Sequence, residues 1–422
     1  MLTRIQARNY RCLKHVDQTL SNFDVLVGSN GVGKSTFLEV LSFLATISSP
    51  ARDGIRATVE RLSPNFEDLL FDSEVGSFEL AIEGTIPHDV GKRAWPFGFS
   101  ARELRYQIAV GYIDGNKSEL AVLAEQLFIR PSGATSWFVV DAQREKCSIM
   151  ERAGLFNVRS SVAFPILSAG QAIALIQQEG RDASVGYQFG MRGGSSGLAI
   201  IPENPDQFPV ATWFRRYLTE SLVKLTLEPE KLRRTVPPNF GHNPGQGVLN
   251  LPAVVATLIA TDGNRFQDWI RHLQLAVPDL LTISVFERPE DRHSYLIAHY
   301  LDGRKVPSWL LSDGILRLIG LTLPAYAMDN GSIFLIEEPK NCIHPLAIEL
   351  VMQSLSSMYE SQVFVTTHSP AILSLAAPEN ILCFSKSVEN GTSIVRRNAH
   401  PRLSEWKKSI DLGTLLASGI LG

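Results

Sequence analysis

Eight consecutive residues near the start constrain this chain more than any others: Gly28-Ser-Asn-Gly-Val-Gly33-Lys34-Ser35 fits the pattern GxxxxGK(S/T). The pattern has a mechanism only where it joins a buried strand to a helix. Both flanks are present. Phe23-Asp24-Val25-Leu26-Val27 is a short apolar run ending at glycine, as expected of a strand buried in a parallel sheet. From Lys34 onward the spacing becomes helical, with Phe37, Leu38, Leu41, Leu44 and Ala45 on one face. In such a turn glycines let successive backbone N–H groups point inward around a phosphate, and the helix N-terminus adds partial positive charge. Lys34 is then expected to reach a γ-phosphate, and the Ser35 hydroxyl to ligate Mg²⁺.

The C-terminal section repeats a strand–helix rhythm. A helix is expected from about 313 to 328, a strand over 332–336, a helix over 345–360, a strand over 363–367 and a helix over 370–376. Alternation of this kind implies a parallel sheet with crossover helices. Two of these strands end in reactive side chains. Ile333-Phe-Leu-Ile336 runs into Glu337-Glu338-Pro339, and Val363-Phe-Val-Thr-Thr367 runs into His368-Ser369. If these strands neighbour the one preceding the glycine loop, Glu337 is placed to hold Mg²⁺ and Glu338 to polarise an attacking water. His368 would face the same crevice and could hydrogen-bond the terminal phosphate. Leu311-Ser312-Asp313-Gly314 opens the helix that precedes the acidic strand, where Ser312 or Asp313 makes a good N-cap.

The middle of the chain reads differently. Period-two alternation over 78–83, 104–113, 119–129 and 137–141 suggests antiparallel strands, with Gly115-Asn116 as a hairpin turn. The opening residues Leu2, Ile5, Ala7, Tyr10 and Leu13 suggest an edge strand and turn. Residues 213–224 read as the clearest helix of a Gly/Pro/Ser-punctuated stretch, 249–275 as helical, and 281–287 and 294–300 as strands. The expected division is a head N-terminal part over 1–48, an antiparallel β insertion over 49–150, a helical and loop insertion over 151–248, and a head C-terminal part over 249–422.

LSDG ahead of a helix, then EEP and TTHSP at short spacing, resembles the ATPase head of the ABC class, close to its SMC, RecF and OLD-type branch. The best match is to the RecF-like AAA-family ATPases of bacteria and phages. The resemblance covers the opening RIQARNYRCL with the glycine loop, and everything from about 249 to the closing DLGTLLASGILG. It implies an α/β P-loop NTPase fold of ABC type and an ATP- and Mg²⁺-dependent hydrolase. In that class two heads face each other head to tail, each ATP lying between the P-loop of one and the LSDG of the other. Carried over by position, Gly28, Asn30, Gly31, Gly33, Lys34, Ser35 and Thr36 would bind nucleotide in cis. Ser312 and Gly314 would touch the partner's γ-phosphate. Glu338 becomes the general base, His368 the switch histidine, and Ser35 and Glu337 the metal ligands. Asn341 lies in the segment that touches the opposite subunit, and Arg11 matches a basic residue that approaches the phosphates. The chain departs from the pattern at Lys340 and Cys342, where the OLD-type branch has glutamate and glycine, and Lys340 would slow hydrolysis or make it partner-dependent.

Composition removes other readings. Across 422 residues, 40 Lys+Arg against 43 Asp+Glu leave a net charge of −3, so no global excess of positive charge exists to neutralise phosphates of DNA. Two local basic stretches remain, 211–240 and that of Lys386, Arg396, Arg397, Arg402, Lys407 and Lys408, both read as solvated faces ahead of a phosphate-backbone footprint. No run reaches membrane-spanning length, the start is charged where a secretory leader would be apolar, and four scattered cysteines make no pair. A cytoplasmic protein is expected. Without heptads between Lys34 and Ser312 no coiled-coil rod is expected, and with 54 residues after His368 no nuclease domain is expected. The expected partners are a second copy, as a dimer or larger even-numbered assembly, and a separate effector, a nuclease or toxin of an antiphage defence system. A RecF-like repair ATPase acting directly on DNA is the alternative.

Overall fold

Antiparallel strands need only turns between them, whereas parallel strands need crossovers, and this chain uses both. The computed structural model describes residues 1–50, 54–94, 100–113, 119–130, 164–169, 173–177, 186–190, 194–225, 227–238, 250–327, 331–340 and 343–399. Contacts divide the chain into two compact units, one of Met1–Leu20, Asn30–Thr219 and Ser385–Ile394, the other of Ser21–Ser29, Glu220–Phe384 and Val395 onward. The strands in chain order are β1 (Leu2–Tyr10), β2 (Leu13–Thr19), β3 (Phe23–Val27), β4 (Ser77–Thr85), β5 (Glu103–Tyr112), β6 (Leu120–Arg130), β7 (Phe164–Ala169), β8 (Ile173–Gln177), β9 (Gly186–Gly190), β10 (Leu222–Leu225), β11 (Leu280–Glu287), β12 (Ser294–Tyr300), β13 (Lys305–Pro307), β14 (Ile333–Glu337), β15 (Gln362–Thr367), β16 (Ile381–Ser387) and β17 (Gly391–Arg396).

The first unit is built on an eight-stranded antiparallel sheet in the order β2-β1-β4-β5-β6-β7-β8-β9. β1 is interior rather than the expected edge, because β4 pairs along its free side from Leu2↔Gly84 to Arg8↔Glu79. The hairpin of β5 and β6 forms as the alternation predicts, while its turn at Gly115-Asn116 and the run over 137–141 lie outside the described residues. One sheet face is apolar. There Tyr10 and Phe43 pack edge-on against Phe78, with ring centroids 4.9 and 5.4 Å away, and seat the helix Lys34–Ile47. The opposite face carries a buried polar ladder: Arg105 donates to Glu83 at 2.5 Å and to Gln6 at 2.6 Å, and Gln107 donates to Gln126 at 2.7 Å. Burial of these groups is tolerable because each has a partner.

Residues 151–248, expected as helices and loops, contribute three strands of this sheet, β7 to β9. Short apolar runs such as Phe164-Pro-Ile-Leu do not alternate, so their periodicity cannot separate strand from helix. The helix expected over 213–224 is Pro209–Glu220, and Leu222–Leu225 is a strand instead. Parallel pairing with β14 satisfies that strand's backbone and buries Val223 and Leu225.

The second unit holds five parallel strands in the order β10-β14-β15-β3-β16, and a small antiparallel sheet β11-β12-β13. Trp269 sits fully buried in its core and donates its indole N–H to Thr322 at 3.0 Å. The helix expected over 313–328 is split into Asp313–Thr322 and Pro324–Ala327, since Pro324 has no N–H to continue the ladder. The stretch 249–275 splits likewise at Asp262, whose carboxylate caps the helix Gly263–Gln274 by accepting from Arg265 N at 3.0 Å. Among the described residues no helix is long and apolar enough to cross a membrane.

Candidate functional site

The sheet of the second unit brings the reactive strand ends together. β3 pairs in parallel with β15, Val27 opposite Thr367, and β15 pairs with β14, Thr366 opposite Glu337. The carboxyl ends of three neighbouring strands therefore present Gly28, His368 and the pair Glu337-Glu338 along one edge. That edge is where parallel α/β sheets receive ligands. The sequence reading makes nearness to β3 a condition for both strand ends: β15 neighbours β3, while β14 stands one strand further, beyond β15.

After Gly28 the loop runs to the helix Lys34–Ile47, whose N-cap is Gly33. Gly31 and Gly33 have φ of +78° and +104°, backbone conformations that side chains disfavour. Gly33 has no room either: a Cβ there would lie 2.5 Å from Thr392 Oγ1 and 2.8 Å from Cys12 Sγ. Thr392 in turn donates to Val32 O at 2.8 Å, so the loop is braced from outside. Gly33→Ala should therefore weaken nucleotide binding at least about tenfold through loop displacement alone, measurable by calorimetry, while a Gly263→Ala control, at a helix start with open space around it, leaves binding unchanged. Lys34 opens the helix and is largely buried.

Glu338 is the most unusual residue of the edge. Its φ is +45°, its N–H donates to Thr366 O at 2.9 Å, and both carboxylate oxygens are shielded from solvent without a hydrogen bond among the described residues. His368 Nε2 stands 3.5 Å from Oε1. An unsatisfied buried carboxylate costs about 1–3 kcal/mol and left-handed backbone about 1–2 kcal/mol more. Such costs collect where chemistry needs a group held in place. Glu337, by contrast, is half exposed and lies 3.1 Å from Lys224 Nζ. Sequence reasoning misses Lys224 because 213–224 reads as a single helix, and the four residues Leu222-Val-Lys-Leu225 are too short a run for their periodicity to identify a strand.

Ser312 is exposed and caps its helix, its hydroxyl accepting from Ile315 N at 3.3 Å, as the capping reading expects. Arg233 grips the same turn, donating to Leu311 O at 2.9 Å and to the Asp313 carboxylate. Gly314 follows in the first helical turn, partly exposed. Arg11 has φ +49° and its Nε lies 3.0 Å from Glu39 of the helix Lys34–Ile47. Asn341 and Cys342 lie outside the described residues, as does the closing segment from 400.

The first basic stretch is largely committed to acids. Arg215 and Arg216 pair with Glu203, Lys224 with Glu337, Lys231 with Glu228 and Arg233 with Asp313. In the second, Arg396 pairs with the buried Asp24 at 2.8 Å. Ser35 and Glu337 each offer a hard oxygen donor, the kind of ligand that Mg²⁺ takes.

Two family profiles match the chain: an AAA ATPase domain over residues 1–90, and the AbiEii-type AAA domain, Type IV TA system, over 248–374. Among curated proteins none matches. Of solved structures, an SMC head bound to the C-terminal winged-helix domain of ScpA superposes with a TM-score of 0.50 at 13% identity, over 93% of this chain and 96% of that one. An SMC head with extended coiled coil, bound to the C-terminal domain of ScpA from Pyrococcus furiosus, gives 0.46 at 12% identity over 93% and 95%. The SMC head domain of Thermotoga maritima gives 0.36 at 12% over 94% and 98%. The first of these shows a shared fold, and the two profiles fall on the halves that carry the glycine loop and the acidic strand. Taken with the strand-end register, they make residues 1–90 and 248–374 similar to AAA ATPase domains, on a chain that shares the fold of an SMC head.

Proposed function

We propose that the protein binds Mg·ATP at residues 28–36 and hydrolyses it, with Glu338 as general base, and that it does so as a head-to-tail pair. The observation that carries this reading is the state of Glu338: strained, shielded and unsatisfied at a strand end, two strands from the one that feeds the glycine loop. A carboxylate without other hydrogen bonds has its lone pairs to spend on a water, and His368 at 3.5 Å limits where that water can sit. The N–H groups of the loop and Lys34 hold the β- and γ-phosphates in line. Bound Mg²⁺ would neutralise phosphate charge, with Ser35 and Glu337 as its protein ligands. Asn341 would touch the second copy, and Arg11 would approach the phosphates.

The exposed Ser312 turn is the part offered to the other copy, its hydroxyl and the helix N-terminus suited to a γ-phosphate. Arg233 holds that turn in shape. Arg233→Ala should cut ATP-driven pairing and turnover about five- to twentyfold, a loss of about 1–2 kcal/mol for a part-buried charged hydrogen bond. ATP binding to the single head stays intact, and light scattering with a nucleotide-binding isotherm separates the two.

The pair in turn controls a separate effector, a nuclease or toxin, in antiphage defence. The AbiEii-type match supports a toxin–antitoxin setting. Docking of a protein partner on a head of this fold has a precedent in the SMC head bound to ScpA. Co-purification with the neighbouring gene product, with and without ATP, tests this. A head that stays single with ATP and recovers no partner would overturn it. Direct action on DNA is the weaker reading, since the basic residues of the stretch 211–240 that would make a footprint are mostly ion-paired. The same experiment run with duplex and gapped DNA in low salt decides between them.

A further inference from the structure

Lys224 has no part in that chemistry, yet its ammonium lies 3.1 Å from the carboxylate assigned to the metal. The sheet puts it there. β10 runs parallel to β14 with Lys224 opposite Leu335, so the two-residue period places Lys224, Leu335 and Glu337 on one face, Lys224 diagonal to Glu337. The backbone of β10 is pinned by this pairing, so only the side chain can move. Beside it lies a pocket of about 370 Å³ lined by Lys224, Glu228, Arg317, Glu337 and Glu338 among others. The ammonium thus has space to leave Glu337, and a second acid, Glu228, itself paired with Lys231, also lines that pocket.

We propose that Lys224 is the resident counter-cation of Glu337 and competes with the divalent cation for that carboxylate. Loading Mg·ATP then requires Lys224 to swing into the pocket, and Lys224 sets the Mg²⁺ concentration at which the site fills. The ammonium and the metal cannot share one carboxylate oxygen, because two positive charges at that separation repel. The pair is half exposed on both sides, 53% and 44%, which makes it weak and exchangeable, as a displaceable lock must be. The proposal rests on Glu337 being the metal-side acid.

The test titrates Mn²⁺ into protein saturated with a non-hydrolysable ATP analogue and follows bound metal by electron paramagnetic resonance. Lys224→Met should tighten Mn²⁺ about three- to fivefold, the scale of an exposed ion pair. Lys224→Arg, which keeps the charge, should restore the parent's affinity. In a Glu337→Gln background Lys224→Met should change nothing, since the contested group is gone. The proposal is overturned if Lys224→Met binds Mn²⁺ like the parent, or if the same tightening persists without the Glu337 carboxylate. Failure of the underlying reading looks different: Glu337→Gln alone would then leave Mn²⁺ affinity untouched.

Discussion

Glu338→Gln should bind ATP as tightly as the parent and turn it over about 10²–10⁴ times more slowly, the usual worth of a general base. The substitution is nearly isosteric, so the strained backbone at φ +45° and the N–H bond to Thr366 O are retained, and only the charge and the proton-accepting lone pairs are lost. Because the parent carboxylate is shielded and without a hydrogen bond, neutralising it removes a desolvation cost, and the variant should melt no lower than the parent. Slow turnover with retained binding should also trap the ATP-bound assembly, visible as a doubled mass by light scattering. Single-turnover kinetics read the chemistry directly. Parent-like turnover would remove Glu338 from the mechanism, and loss of binding together with turnover would mean it supports the fold instead. A His368→Ala variant, losing the ring 3.5 Å away, should fall between the two.

Lys34→Ala should lose ATP binding itself. The side chain opens the helix after the glycine loop, is largely buried, and carries the charge proposed to meet the β- and γ-phosphates. Truncating one side of a charged, part-buried contact costs about 3 kcal/mol, or about two orders of magnitude in Kd. Calorimetry with Mg·ATP measures it, and an unchanged circular dichroism spectrum shows that the helix Lys34–Ile47, held by Phe37, Leu41 and Phe43 in the core, has not been lost with it. An unaltered Kd would refute the phosphate role of the loop and, with it, the nucleotide reading of the whole edge.

Lys34 and Glu338 differ in how far the amino-acid sequence reveals them. Lys34 is legible because its role is local: a strand, a turn and a helix contiguous in the chain specify it. The strand ends at Glu337 and His368 are legible by periodicity, and their membership of one parallel sheet with β3 by the requirement that strand–helix units pair in parallel, while the order, β15 next to β3 and β14 one strand further, is not. Pattern names Glu338 as well, but the features that mark it as costly, its left-handed backbone and empty hydrogen-bond capacity, arise from the packing of β14 against β15 and have no trace in composition. Arg233 is hidden for the same reason. As part of a basic stretch it offers a footprint for DNA, and folding spends it on the turn at Leu311 and Asp313 instead.

The amino-acid sequence alone determined the local chemistry: a glycine loop that only a strand-to-helix junction makes useful, acids and a histidine at strand ends, a capped helix at Ser312. It did so because backbone conformation and residue period are short-range properties. Tertiary structure decided the rest. Strand order placed β1 inside its sheet rather than at its edge, drew β7 to β9 into it, and set Lys224 diagonal to Glu337, since pairing partners far apart in the chain are chosen by burial and hydrogen-bond completion over the whole sheet.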